Sequence, residues 1–329
     1  MAGLSNALSQ VWPPKPQFTE KDLPDLRGKV YIVTGANTGV GKELAQILYA
    51  KHAKVYVAAR SEEKAKAAIE AIKSSSPDSK GALALLRLDL ADLTTIKKSA
   101  TDFLSQETKV HVLFNNAGVM TPPQGSKSAQ GYELQLGVNN LGTFLFTKLL
   151  TPALASTARD EPPGTVRVVW VSSSAAEHFS HTPGGVDLEN LTYEKQDLSA
   201  ATKYGTSKAG NYLHATEFAR RHRDDGIVSV SLNPGNLNTE LARHRTAFEK
   251  WFLQTVVQYP PIMGAYTELF AGLSPLVTVE KSGDWIAPFG RFAPIRQDLL
   301  DASKPESEGG TGTAEKWWSW TEEQVKPYL

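Results

Sequence analysis

The chain has 329 residues, and its 35 lysines and arginines balance 35 aspartates and glutamates, giving a pI near 7.1. With no net field, electrostatics favours neither nucleic acid nor an anionic membrane, and any partner must be recognised locally. The absence of cysteine excludes disulfides, thiolate nucleophiles and cysteine-ligated metals, while the histidines form no HExxH pattern and His178 and His181 read as solvated loop residues.

Residues 1–27 lack a basic segment followed by a long apolar run, so no secretory signal is expected. Nor is there a stretch of about 18 apolar residues, and a soluble, cytoplasmic protein is expected. Pro13, Pro14 and Pro16 favour extended backbone, which makes this segment an arm over the domain surface.

From Lys29 the pattern alternates. KVYIVTG, a β-branched run ended by glycine, precedes a helical period in GKELAQILYAKHA. KVYVAAR then SEEKAKAAIEAIKSS repeats the unit, with Ser61 as N-cap and two glutamates in the first turn. ALALLRLDL and LTTIKKSATDFLSQE form a third unit; VHVLFNNAG and one long helix over residues 132–156 form a fourth. TVRVVWVSSS is a fifth strand, followed by a helix from about Tyr204 to His222 and a sixth strand, IVSVSLNPG. Six strands apolar on nearly every residue, each paired with a helix, predict an α/β fold: a doubly wound parallel sheet of the Rossmann type in three αβα layers. One domain over 28–290 is expected, with a helical lid at about 236–260 and an extension over 291–329. Residues 121–131, 159–164 and 181–202 read as loops, SKPESEGGTGTAE as a flexible turn, and Trp317, Trp318 and Trp320 as anchors for the tail.

Such sheets bind ligands beyond the carboxyl ends of their strands. The first strand ends in TGANTGVG, with Gly35, Gly39 and Gly41 directly before a helix. Glycines let backbone approach a pyrophosphate, and the helix N-terminus supplies free N–H donors, so a dinucleotide is expected. The second strand ends Ala58-Ala59-Arg60-Ser61, where an acid would hold the ribose hydroxyls of NAD; Arg60 instead suits a 2′-phosphate, favouring NADP(H) over NAD(H).

Tyr204 and Lys208, one helical turn apart in YGTSK, are ambiguous alone, since such pairs often mean only packing and a solvated charge. Together TGANTGVG, NNAG at 115–118, VSSS at 171–174, YGTSK and NPGNLNT at 233–239 resemble the short-chain dehydrogenase/reductase family over roughly residues 28–290. VNNLGTFLFTKLL and KVYVAARS are similar to its retinol dehydrogenase and WW-domain oxidoreductase branch, and to fungal reductases. The resemblance implies Asn139, Ser173, Tyr204 and Lys208 as catalytic residues, with Ser172 or Ser174 as alternatives of register for the serine. It implies cofactor contacts from Gly35, Asn37, Thr38, Gly39, Val40, Gly41, Arg60, Asp89 and Leu90. Asn115, which would also steady the sheet, Ala117, Gly118, Tyr204, Lys208, Pro234, Gly235, Leu237 and Thr239 complete that set. It also implies pairing of two copies through the long helices, which the extra arm and tail could block.

Reducing a carbonyl needs a hydride on carbon and a proton on oxygen. A phenol with the unperturbed pKa near 10 needs roughly 4 kcal/mol of preferential phenolate stabilisation to reach about 7, and an ammonium one helical turn away supplies charge for it. Serine can donate to the substrate oxygen, and asparagine is expected to fix a water linking the lysine to solvent. Leu237, Leu241, Phe248, Trp251, Phe252 and Tyr259, in and beside the lid, favour a bulky apolar carbonyl or alcohol as substrate. The alternatives are non-redox chemistry on a natural product, such as cyclisation or dehydration, and a dinucleotide-sensing regulator.

Overall fold

A computed structural model describes residues 8–238 and 258–329. Its eight-stranded sheet runs in the order β3-β2-β1-β4-β5-β6-β7-β8. The strands are β1 (Val30–Thr34), β2 (Lys54–Ala59), β3 (Ala82–Arg87), β4 (Val112–Asn115), β5 (Arg167–Val171), β6 (Val228–Leu232), β7 (Trp285–Ala287) and β8 (Arg291–Phe292). The first seven are parallel and β8 is antiparallel to β7. The last two strands, β7 and β8, were not expected from the sequence: three and two residues are too few to show a period. Because β8 begins at Arg291, the sheet continues into the segment set apart as an extension.

Among the described residues the sheet is flanked by α1 (Gly39–Ala50), α2 (Glu62–Ser75), α3 (Leu93–Leu104), α4 (Thr143–Asp160), α5 (Ala200–Arg221) and α6 (Pro261–Leu273). Successive strand residues point to opposite faces, so Val168 and Trp170 enter one core while Val169 and Val171 enter the other. The first core joins α3, α4 and α5; the second joins α1, α2 and α6. Ser61 and Ser199 cap α2 and α5, accepting from the Lys64 and Thr202 N–H groups, and each cap contributes about 1 kcal/mol.

Three sequence expectations need correction. The helix expected over 132–156 is present over 134–160 but is not α-helical throughout: Leu136–Gly142 forms a π-helical stretch before α4 begins. The helix carrying Tyr204 starts at Ala200, so the tyrosine lies within its second turn rather than at its end. The supposed flexible turn after Ser303 is closed by backbone hydrogen bonds from Thr311 N to Asp301 O and from Gly312 N to Lys304 O. These join α7 (Gln297–Ser303) to α8 (Thr313–Val325).

Helix α8 anchors the tail through its tryptophans. Trp317 Nε1 donates to Gly210 O at 3.1 Å and its ring stacks on His214, while Trp318 meets Phe144 edge-on at 4.6 Å. Gly210 and His214 lie on α5 and Phe144 on α4, so the chain's own tail covers part of the long-helix surface through which pairing was expected. Arg167 closes the opposite end of the sheet, its buried guanidinium donating to Gly164 O, Ala271 O and Ser274 O.

Candidate active site

The chain winds outward from β1 to β3 and then returns to β4, so β1 and β4 are the strands between which its direction reverses. A crevice is expected at their carboxyl ends. Polar side chains lace the two ends together. Thr34 Oγ1 donates to Phe114 O and accepts from Ala117 N at 2.9 Å, and Asn116 Nδ2 donates to Thr34 O at 2.7 Å. Asn116 thus links β4 to β1 by its side chain, a contact not expected of it. Asn115 is buried and turned the other way, donating to Thr147 Oγ1 at 2.8 Å. Two adjacent asparagines could not be told apart in the sequence, because only the strand's twist decides which one faces β1.

Gly35 leaves β1 at φ 70, a left-handed value that costs a side chain strain. A Cβ at Gly41 would lie 2.5 Å from Asn116 Nδ2 and 2.9 Å from Gly35 O, so the missing side chain lets the first turn of α1 lie on the loop. Thr38 is the N-cap by backbone geometry, and Gly39 and Val40 open the helix after Asn37. Arg60 is exposed at the end of β2 and has no ion pair among the described residues. These features fit a dinucleotide: a small-residue loop, helix amides facing the crevice and an uncommitted guanidinium where an adenosine ribose would end.

The remaining expected contacts divide. Asp89 Oδ1 accepts from Ala91 N and shapes its own turn, while Leu90 is buried with its carbonyl beneath Gly142. Gly118 does bring groups together: a Cβ there would sit 3.1 Å from Asn139 Oδ1 and 3.4 Å from Lys208 Nζ. Pro234 and Gly235 follow β6, with Gly235 N donating to Asn233 Oδ1 at 3.0 Å. Leu237 pairs by backbone with Tyr259 and packs on Gly264. Thr239, Leu241, Phe248, Trp251 and Phe252, and with them most of the expected lid, lie outside the described residues.

Lys208 Nζ lies 5.8 Å from the centroid of the Tyr204 ring and donates to Val171 O at 2.8 Å, at the very end of β5. Tyr204 is only 8% exposed and Lys208 3%. Burial pushes the lysine down to about 8, with Glu268 pulling the other way. Ser172 Oγ donates to Lys208 O at 2.6 Å, which commits that hydroxyl to holding α5 on the strand end. Ser173 Oγ instead accepts from Ala175 N at 3.2 Å, a contact that leaves its proton to be given elsewhere. Asn139 lies in the π-helical stretch with both sides of its amide used: Oδ1 accepts from Val119 N, and Nδ2 donates to Val119 O and Ser207 Oγ. With both amide hydrogens used, a water expected of this residue would bind either its backbone or the second lone pair of Oδ1.

Two contributors were missed in the sequence. A Cβ at Gly205 would lie 2.5 Å from Phe179 C and 2.6 Å from Ser180 N, so α5 rests directly on the backbone that follows Ser173. A glycine inside a helix costs about 1 kcal/mol against alanine, and that penalty was the available signal. Gly205→Ala is expected to force this contact apart and cost about 1–3 kcal/mol, read as a fall in Tm. Glu268 is fully buried in α6, with neither carboxylate oxygen partnered among the described residues. It shares a helical stripe with Gly264, against Val40, and Gly272, against Phe114, and burial pushes it up to about 8.

A doubly wound sheet with a glycine-rich loop at its crevice and a tyrosine–lysine pair at the end of β5 defines a dinucleotide-binding α/β protein. The short chain dehydrogenase family profile matches residues 29–183. A short-chain dehydrogenase/reductase of Phomopsis amygdali is 60% identical over 99% of this chain and 98% of its own length. The short-chain dehydrogenase/reductase bet4 of Neocamarosporium betae is 49% identical over 99% and 94%. A solved structure of an uncharacterised protein from Mycobacterium paratuberculosis is 28% identical, with a TM-score of 0.69 over 94% of this chain and 97% of that one. The chain belongs to the short-chain dehydrogenase/reductase family and is an oxidoreductase.

Proposed function

We propose that the protein is an NADPH-dependent reductase that interconverts a bulky apolar carbonyl compound and its alcohol. The observation that carries this reading is the placement of Lys208 Nζ 5.8 Å from the Tyr204 ring, on a helix seated against the turn that holds Ser173. A bound nicotinamide dinucleotide supplies the hydride. Tyr204 delivers a proton to the carbonyl oxygen, and the neighbouring ammonium of Lys208 favours the phenolate left behind. Ser173 donates its hydroxyl proton to the same oxygen as negative charge develops there. Asn139 holds Val119 and Ser207 in place around the lysine.

The NADPH preference rests on Arg60, since β2 ends without an acid and this guanidinium is exposed. Arg60→Ala is expected to raise KM for NADPH about tenfold or more and leave KM for NADH within about twofold. An unchanged ratio of the two would remove the preference. The apolar substrate is supported by Phe179, 55% exposed beside the serine turn, and by Leu237 and Tyr259, which stand together beyond β6. NADPH oxidation would be followed with decalone and retinaldehyde against dihydroxyacetone. Turnover of dihydroxyacetone alone would overturn the substrate class, and no turnover with any carbonyl would overturn the reaction.

A further inference from the structure

We infer that Gln10, on the N-terminal arm, is a positioning residue that sets the spacing of the substrate end of the cleft by tying the turn after Ser173 to the loop after β6. This rests on the reading of that cleft as the carbonyl site. Residues 8–11 form a helical turn across the strand ends. Gln10 is 6% exposed, and its amide reaches into the molecule between two loops that, among the described residues, are joined by no other side-chain hydrogen bond. Gln10 Nε2 donates to Glu177 Oε2 at 2.8 Å, four residues beyond Ser173, and Gln10 Oε1 accepts from Asn233 Nδ2 at 2.9 Å.

The polarity of this chain is dictated from one end. Gly235 N–H can only donate, so Asn233 must turn Oδ1 toward it and present Nδ2 to the arm. The arm residue must then accept on that side and donate to a carboxylate on the other. A primary amide of this length does both; a carboxylate or an apolar side chain cannot. Buried polar chains of this kind hold their geometry when complete and lose it when one link fails.

Neighbouring contacts fasten the same segment. Arg291 on β8 donates to Ser9 O and Ser9 Oγ, and Tyr259 donates to Val11 O at the long distance of 3.5 Å. On the far side, Arg296 donates to Glu177 O at 2.6 Å and holds the turn from below. With both flanks fixed, the Gln10 amide is the element that spans the gap.

The test uses Gln10→Glu, Gln10→Met and the double variant Gln10→Glu/Glu177→Gln, assayed with decalone. Gln10→Glu sets two carboxylates against each other, and Gln10→Met keeps the volume without the bonds. Each should raise KM for decalone about tenfold, with kcat and NADPH affinity within about threefold of wild type. The double variant restores a donor facing an acceptor and should return KM to within about threefold. A wild-type KM in Gln10→Met, or a double variant no better than Gln10→Glu, would overturn the positioning role. If Gln10→Glu does not fold, Gln10→Met decides alone. Tyr204→Phe separates the two levels: silent Gln10 variants beside an inactive Tyr204→Phe sink only this inference, whereas an active Tyr204→Phe sinks the reading beneath it.

Discussion

Tyr204→Phe is expected to lower kcat for carbonyl reduction by about a thousandfold or more while leaving NADPH affinity within about twofold. The substitution removes one oxygen from a ring that is 8% exposed, so the helix and its contacts should persist. What disappears is the proton donor. Ser173 cannot replace it, because an alkyl hydroxyl is a far weaker acid than a phenol. Single-turnover measurement of NADPH oxidation, with cofactor binding followed by fluorescence, checks both halves. Substantial turnover in a folded, cofactor-saturated variant would remove Tyr204 from the mechanism.

Lys208→Met should give the opposite signs in activity and stability. Activity is expected to fall about a hundredfold or more, and NADPH affinity with it, since in the proposed mechanism the ammonium serves the phenol and would also hold the nicotinamide ribose. The fold itself should gain. Burial pushes Lys208 down to about 8, whereas the unfolded chain keeps a value near 10.5. Below pH 8 both states carry the charge and the folded state bears its full desolvation cost, of order 3 kcal/mol. Between about 8 and 10.5 the unfolded chain binds a proton that the folded one lacks, so wild-type stability climbs with pH. The advantage of the methionine variant is thus complete below pH 8 and shrinks across that window. Val171 O is not orphaned by the change, because Asn211 Nδ2 also donates to it, at 3.2 Å. Thermal unfolding at several pH values reads the effect; a variant that is less stable at pH 7 would show that the lysine is there for the fold.

The expected stability gain and functional loss would have one cause. A charge held at the end of β5 is costly for folding, and in the proposed mechanism it keeps the phenol acidic. Glu268 is a second such group, buried in α6 with neither carboxylate oxygen hydrogen-bonded among the described residues and pushed by burial toward its neutral form, against the pull of Lys208. Its stripe, with glycines one turn before and one turn after, places a carboxyl where neighbouring positions carry no side chain.

The amino-acid sequence by itself determined the alternation of strands and helices, the glycine-rich turn after β1 and the one-turn spacing of Tyr204 and Lys208. Each of these is a local property: a period, a backbone permission or a distance along one helix. It also carried the family, because several short motifs recur in a set order at strand ends. Other features were decided only by the tertiary structure. Asn116 rather than Asn115 laces β1 to β4, Ser172 is committed to Lys208 O, Gly205 seats α5 on the serine turn, and the arm's Gln10 meets Glu177 and Asn233. The π-helical stretch around Asn139 and the short strands β7 and β8 belong with them. All depend on contacts between residues far apart in the chain, where the partner that satisfies a polar group or fills a gap is supplied by packing and has no signature in the neighbouring letters.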